Sequence, residues 1–144
     1  MEPKELVLLY GLSASLKEGD LIQTVLREAG IPLREVQPQE LGLPVGVLAG
    51  LDAAENAPPM VEPYTLSAMM FCGFSEQRLR EALSLLREAG AGASSLKAVL
   101  TPQNRDWRFY DLLAELKKER EAFLRMIRAG SRDKEEQNTK NQDT

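Results

Sequence analysis

The chain has 144 residues, 43% of them apolar and 28% charged, with a net charge of -4, which is the make-up of one ordinary globular domain large enough to bury its own core. It has no His and a single Cys, Cys72, which excludes an intrachain disulfide and a cysteine metal cluster and removes the commonest general base. The acidic balance gives no broad electrostatic footprint for nucleic acid; no run reaches the ~20 apolar residues of a spanning helix, and Leu6 to Leu9 is too short for a signal peptide, so a cytoplasmic location is expected.

Leu6 to Tyr10 is an apolar run closed by Gly11 and predicts a buried strand. Ser15 followed by Glu18 has the spacing of a capping box, so a helix is expected to start there. Leu16, Leu21, Ile22, Val25, Leu26 and Ala29 supply its buried face, and Gly30 with Pro32 ends it. Leu33 to Val36 is a short second strand, and Pro44 suits the first turn of a brief helix running to Leu51, although Gly46 and Gly50 weaken it. Residues 52–65, with Pro58, Pro59 and Pro63, form an extended connector.

Leu66 to Cys72 predicts a third strand, closed by Gly73, and Ser75 is a good N-cap for the helix carrying Leu79, Ala82, Leu83, Leu86 and Ala89. Gly90 ends that helix and Leu96 to Leu100 is the fourth strand. The longest helix is expected from about Asp106 to Arg128, with Gly130 stopping it and a disordered tail over 131–144. Its Glu115, Glu119 and Glu121 alternate with Lys117, Lys118 and Arg120, the pattern of a solvated face laced by i,i+4 pairs.

The chain repeats itself. Leu6-Val-Leu-Leu-Tyr-Gly-Leu-Ser13 matches Ala68-Met-Met-Phe-Cys-Gly-Phe-Ser75 in type, and Val25 to Gly30 matches Leu85 to Gly90 with five identities. The offsets are 68 − 6 = 62 and 85 − 25 = 60, which leaves two extra residues in the first strand-helix turn. A β-α-β unit is therefore present twice, over 1–51 and 66–130, packed together as one domain. The expected fold is α+β: a ferredoxin-like, four-stranded sheet with two helices on one face and the C-terminal helix on the other face or an edge. The alternative is an open α/β sheet with helices on both faces.

Lys97-Ala-Val-Leu-Thr-Pro102, then Asn104, Trp107 and Leu112-Leu113, together resemble the bacterial family known as domain of unknown function 3783. The resemblance is specific over 68–121 and weaker over 6–51. Where that family has a small hydroxyl residue after the Trp, this chain has Arg108. The resemblance implies no activity.

Thr101, Asn104 and Trp107 form the sharpest candidate site: a hydroxyl, an amide, free helix N–H groups and an aromatic plate. In the structural reading, Thr101 and Asn104 hydrogen-bond the turn, Asp106 caps the helix and Trp107 plugs the core. Lys97 is read either as a cation beside a ligand or as an edge-strand guard. Cys72 stands where a nucleophile could be presented, without a His to activate it, and Lys97 with Asp106 is a second catalytic option. These features favour a non-catalytic binding or regulatory module using the corner at 97–107, with an unknown small ligand or a protein partner. The alternative is a small enzyme using Cys72 or Lys97. No cofactor, metal or membrane is implied, nucleic acid is disfavoured, and homo-oligomerisation is left open.

Overall fold

A computed structural model describes residues 4–53 and 66–142, the stretch 130–142 as backbone alone. The elements run β1 (Leu6–Tyr10), α1 (Lys17–Glu28), β2 (Leu33–Val36), a 3-10 turn (Pro38–Glu40), α2 (Val45–Leu48), β3 (Ala68–Cys72), α3 (Glu76–Glu88), β4 (Leu96–Val99) and α4 (Phe109–Gln142). Most of the connector expected over 52–65 lies outside the described residues, as do residues 143 and 144.

The α+β class, the doubled β-α-β unit and the four-stranded sheet are all present. The sheet order is β2-β1-β3-β4. Within each unit the two strands are parallel neighbours, and the units meet through the antiparallel pair β1–β3. The interleaving that defines a ferredoxin-like sheet is therefore replaced by a side-by-side arrangement. Either arrangement puts β1 and β3 at the centre; what differs is that each edge strand here pairs with the first strand of its own unit. Val7 to Tyr10 and Ala68 to Cys72 are all buried, which is what two strands covered on both faces require. The partly polar β2 and β4 go to the edges, where one side meets solvent.

The β1–β3 register makes the duplication geometric. Leu8 lies opposite Met70, Leu6 opposite Cys72 and Tyr10 opposite Ala68. Leu8 and Met70 are also equivalent in the sequence repeat, 70 − 8 = 62. A local twofold axis therefore passes through that pair, perpendicular to the sheet. It places the Gly11-Leu12-Ser13 and Gly73-Phe74-Ser75 corners at opposite ends of the sheet.

Side chains alternate along each strand, so the sheet divides two cores. Val7, Leu9, Met69 and Phe71 pack with Ile22 and Leu26 of α1 and Ala82 and Leu86 of α3. Leu8, Tyr10, Met70 and Cys72 pack with Val45 and Leu48 of α2 and Phe109, Leu112 and Leu113 of α4. Helices thus cover both faces, with α4 opposite the α1–α3 pair.

Several boundaries differ from expectation. Helix α1 starts after Leu16, which has no side-chain cap. Ser15 and Glu18 form no capping box, because the Glu18 carboxylate instead accepts the N–H of Gly92 at 2.6 Å. Helix α3 starts as expected, with the Ser75 hydroxyl accepting Arg78 N–H at 3.1 Å. The short helix begins after Pro44 and ends at Leu48 rather than Leu51, since the amides of Leu51 and Asp52 both turn back to Gly46 O. Helix α4 starts at Phe109, later than Asp106, and continues to Gln142, through Gly130 and across the stretch expected as a tail. One helical Gly costs about 1 kcal/mol relative to Ala, too little to end a helix flanked by good helix formers.

Candidate functional site

The 99–110 segment follows β4 and is fixed from two directions. From within, Thr101 and Asn104 close on each other. Thr101 N–H donates to Asn104 Oδ1 (2.9 Å) and Asn104 N–H donates to Thr101 Oγ1 (3.1 Å). Asn104 Nδ2 donates to Val99 O at 3.0 Å. Leu96 N–H and Leu100 N–H point inward to β3, so the Val99 carbonyl faces out from the sheet edge. Asn104 therefore caps an edge acceptor that would otherwise invite a foreign strand.

From the first unit, the stretch 41–46 lies alongside. Gly46 N–H donates to Arg105 O (2.8 Å), Val45 N–H to Trp107 O (2.9 Å), Phe109 N–H to Leu43 O (2.9 Å) and Tyr110 N–H to Leu41 O (2.8 Å). The N–H groups of Phe109 and Tyr110, expected to be free for a ligand, are thus occupied. This pairing also explains the late start of α4. Arg105 grips the Asp52 carboxylate through two nitrogens, at 3.0 and 2.6 Å. That grip holds the Asp52 pKa below its ordinary value, mainly through the hydrogen bond from Arg105 and against a smaller opposing effect of burial. Gly46 is needed here, because a Cβ would collide with the Asp52 carboxylate and crowd Arg105. Arg108 adds a bond to Gly42 O at 2.6 Å.

Trp107 does not plug the core. It is 42% exposed and stands over an open cleft of about 260 Å³ between the turn and α4, lined also by Val99, Thr101, Asn104, Glu115 and Glu119. The i,i+4 pairs expected along α4 are absent among the described residues. Glu115 and Glu119 face the cleft without an ion pair, and Arg120 donates to Ser94 O at 2.7 Å. The cleft is therefore an aromatic plate on a turn closed by its own hydrogen bonds, facing two carboxylates without an ion pair among the described residues.

Lys97 is not part of this constellation. Leu96 and Ala98 pack with the α4 core; Lys97, one step along the strand, faces α3 instead and lines a different cavity with Leu83 and Leu86. Its ammonium donates to Gly92 O (2.5 Å) and Ser95 O (3.3 Å). Burial, then the nearby Arg120 guanidinium, lowers its pKa. The structure thus brings together Thr101, Asn104 and Trp107 and separates Lys97 from them.

Cys72 is 1% exposed, and burial pushes its thiol up to about 12. At neutral pH it is a small apolar core residue, without the thiolate that nucleophilic chemistry needs. Among the described residues there is no group of three or more His, Cys, Asp or Glu placed to hold a metal ion. No helix there is long and apolar enough to cross a membrane.

Sequence reasoning missed Arg105, Asp52 and Gly46, and it missed the acidic side of the cleft. The Arg105–Asp52 pair spans 53 residues, and nothing in local spacing announces it. Gly46 carried a signal, an unfavourable residue inside a short helix, that points to a close approach.

The fold and the cleft define an α+β protein made of two β-α-β units, with the Thr-Asn-Trp cleft in the second. Residues 67–123 match the family model described as Domain of unknown function (DUF3783), and that stretch is a domain of this family. The match covers β3, α3, β4, the Thr-Asn-Trp turn and the beginning of α4, and leaves the first unit outside. The comparisons with curated proteins and with solved structures give no match.

Proposed function

We propose that the protein is a cytoplasmic, bacterial, non-catalytic binding module whose site is the cleft between the 99–107 turn and α4. Its ligand is a cationic group carried by a small molecule or by a protein partner. The observation that carries this reading is an exposed Trp107 fixed opposite the unpaired carboxylates of Glu115 and Glu119. A large aromatic ring held in water by a hydrogen-bonded turn gains by being covered. A cation over an indole face gains a further ~0.5–1 kcal/mol at an exposed site, and the two carboxylates supply its counter-charge. Thr101 and Asn104 act as positioning residues, since their polar atoms already hold the turn.

Trp107 is the only Trp, so its fluorescence reports on the cleft directly. Titration with arginine methyl ester and with choline is expected to give a saturable change at millimolar concentration, a binding free energy of about 4 kcal/mol. The double variant Glu115→Gln/Glu119→Gln is expected to weaken it at least fivefold, and added salt to weaken it further. A titration without saturation, or one unaffected by the double variant, overturns this reading.

A further inference from the structure

The cavity that takes Lys97 is separate from the cleft beside Trp107. It has a volume of about 400 Å³ and lies where the C-terminal end of α3 meets β4, with Leu83, Leu86, Ala91 and Ala93 as apolar lining and Arg87 and Lys97 as its cations. The local twofold shows what this space holds in the first unit. Val7 pairs with Leu33 and Met69 pairs with Lys97, so Leu33 is the counterpart of Lys97. Ile31 N–H bonds Leu26 O and Ala91 N–H bonds Leu86 O, so Ile31 is the counterpart of Ala91. Where the first unit has two branched apolar side chains, the second has a methyl group and an ammonium. Residues 92–95 have no counterpart at all, since one residue separates Ile31 from Leu33 and five separate Ala91 from Lys97.

The cations also differ. Arg27, the counterpart of Arg87, donates to Gln23 Oε1 at 2.8 Å, and Gln23 in turn donates to Glu35. Arg87 has Leu83 in place of that Gln23, and its guanidinium has no hydrogen-bond or ion-pair partner among the described residues. Among the described residues Lys97 has only carbonyl partners. One carboxylate touches the 92–95 loop, Glu18, and it is engaged by Gly92 N–H rather than by either cation. Two cations without a carboxylate partner among the described residues, beside an apolar hollow whose counterpart positions in the first unit carry Ile31 and Leu33, describe a receptor for an anion with an apolar body.

We propose that this cavity binds a small organic anion with a short aliphatic tail, its charged end between Arg87 and Lys97 and its tail against Leu83, Leu86 and Ala91. The test is a titration of the isotope-labelled full chain with acetate, butyrate and hexanoate, read by backbone amide shifts. Saturable shifts confined to residues 83–97 are expected, with affinity rising about two- to fourfold for each methylene buried. Arg87→Gln removes a group with no side-chain bond among the described residues, so the fold is expected to hold, and the variant is expected to weaken hexanoate at least fivefold. Lys97→Gln is expected to do the same and Lys97→Arg to restore binding, while Trp107→Ala leaves it unchanged. No saturable shift, a flat acid series, or equal binding by wild type and Arg87→Gln overturns the proposal.

Discussion

The two β-α-β units share a topology, a helix-end sequence and a common axis, yet they fill equivalent positions differently. In the first unit the positions equivalent to the Lys97 cavity carry Ile31 and Leu33, which pack into the α1–α3 core, and Arg27 is tied to Gln23; a cavity of about 190 Å³ lies instead beside Gly11, Ser13 and Glu35. In the second unit the matching positions carry Ala91, Lys97 and an Arg87 without a partner among the described residues, and the chain beyond β4 builds the Thr-Asn-Trp turn. The units also start their helices differently. Helix α3 is capped by Ser75 in the ordinary way. Helix α1 lacks a side-chain cap and instead presses Gly19 against the backbone of Leu12 and Ser13. A duplicated frame can therefore fill a given space in one copy and leave the equivalent space open in the other.

That difference can be probed at three points. Gly19→Ala should have the largest effect, since its Cβ would collide with the Ser13 and Leu12 carbonyls, and backbone rather than a flexible side chain must yield. A loss of about 3 kcal/mol is expected in urea unfolding, whereas Leu79→Ala, at the equivalent place in α3, should cost less, Leu79 being only partly buried. A smaller asymmetry is expected at the caps. Ser75→Ala should cost about 1 kcal/mol and Ser13→Ala only a few tenths, both read from the urea midpoint, because the Ser13 hydroxyl serves Ser15 and not the helix. The smallest effect concerns the clamp between the units. Asp52 is held below its ordinary pKa by Arg105, so its contribution is present above the unfolded-state value and is lost as pH falls through the folded one. Thermal midpoints should therefore drop on acidification less steeply in Asp52→Asn than in wild type, and an equal slope would remove the clamp from the account.

The elements of this fold were legible because each one announces itself locally. Short apolar runs ended by Gly11 and Gly73 gave β1 and β3, Ser75 gave the start of α3, and the repeated Leu-Arg-Glu-Ala-Gly gave the duplication. The order of the strands was not legible, since the interleaved and side-by-side sheets bury the same side chains and differ only in which edges meet. The start of α1 was misread because Glu18 has two partners within reach and takes the distant one, Gly92 N–H. Helix α4 was misread at Gly130, where a local penalty was weighed as a stop signal. At the candidate site, spacing grouped Thr101, Asn104 and Trp107, which line one cleft, and their turn bonds follow from residue type. It also grouped Lys97 with them, although strand alternation sends position 97 to the opposite face of the sheet from Leu96 and Ala98. The clamp of Arg105 on Asp52 and the cavity by Arg87 arise from contacts between distant segments, which a single sequence does not encode as pattern.

The axis through Leu8 and Met70 has one more consequence, for how such a chain could arise. Two separate copies of one β-α-β unit, meeting along their first strands in this register, would bury the same sheet and place both helices on one face without any linker. The single chain is then a tethered pair, and tethering is what frees the two members to diverge. In a true homodimer a change such as Leu33 to Lys would strike both halves at once and open both cores. Once the halves are fused, the same change strikes only one, and the lost packing is tolerated by the other.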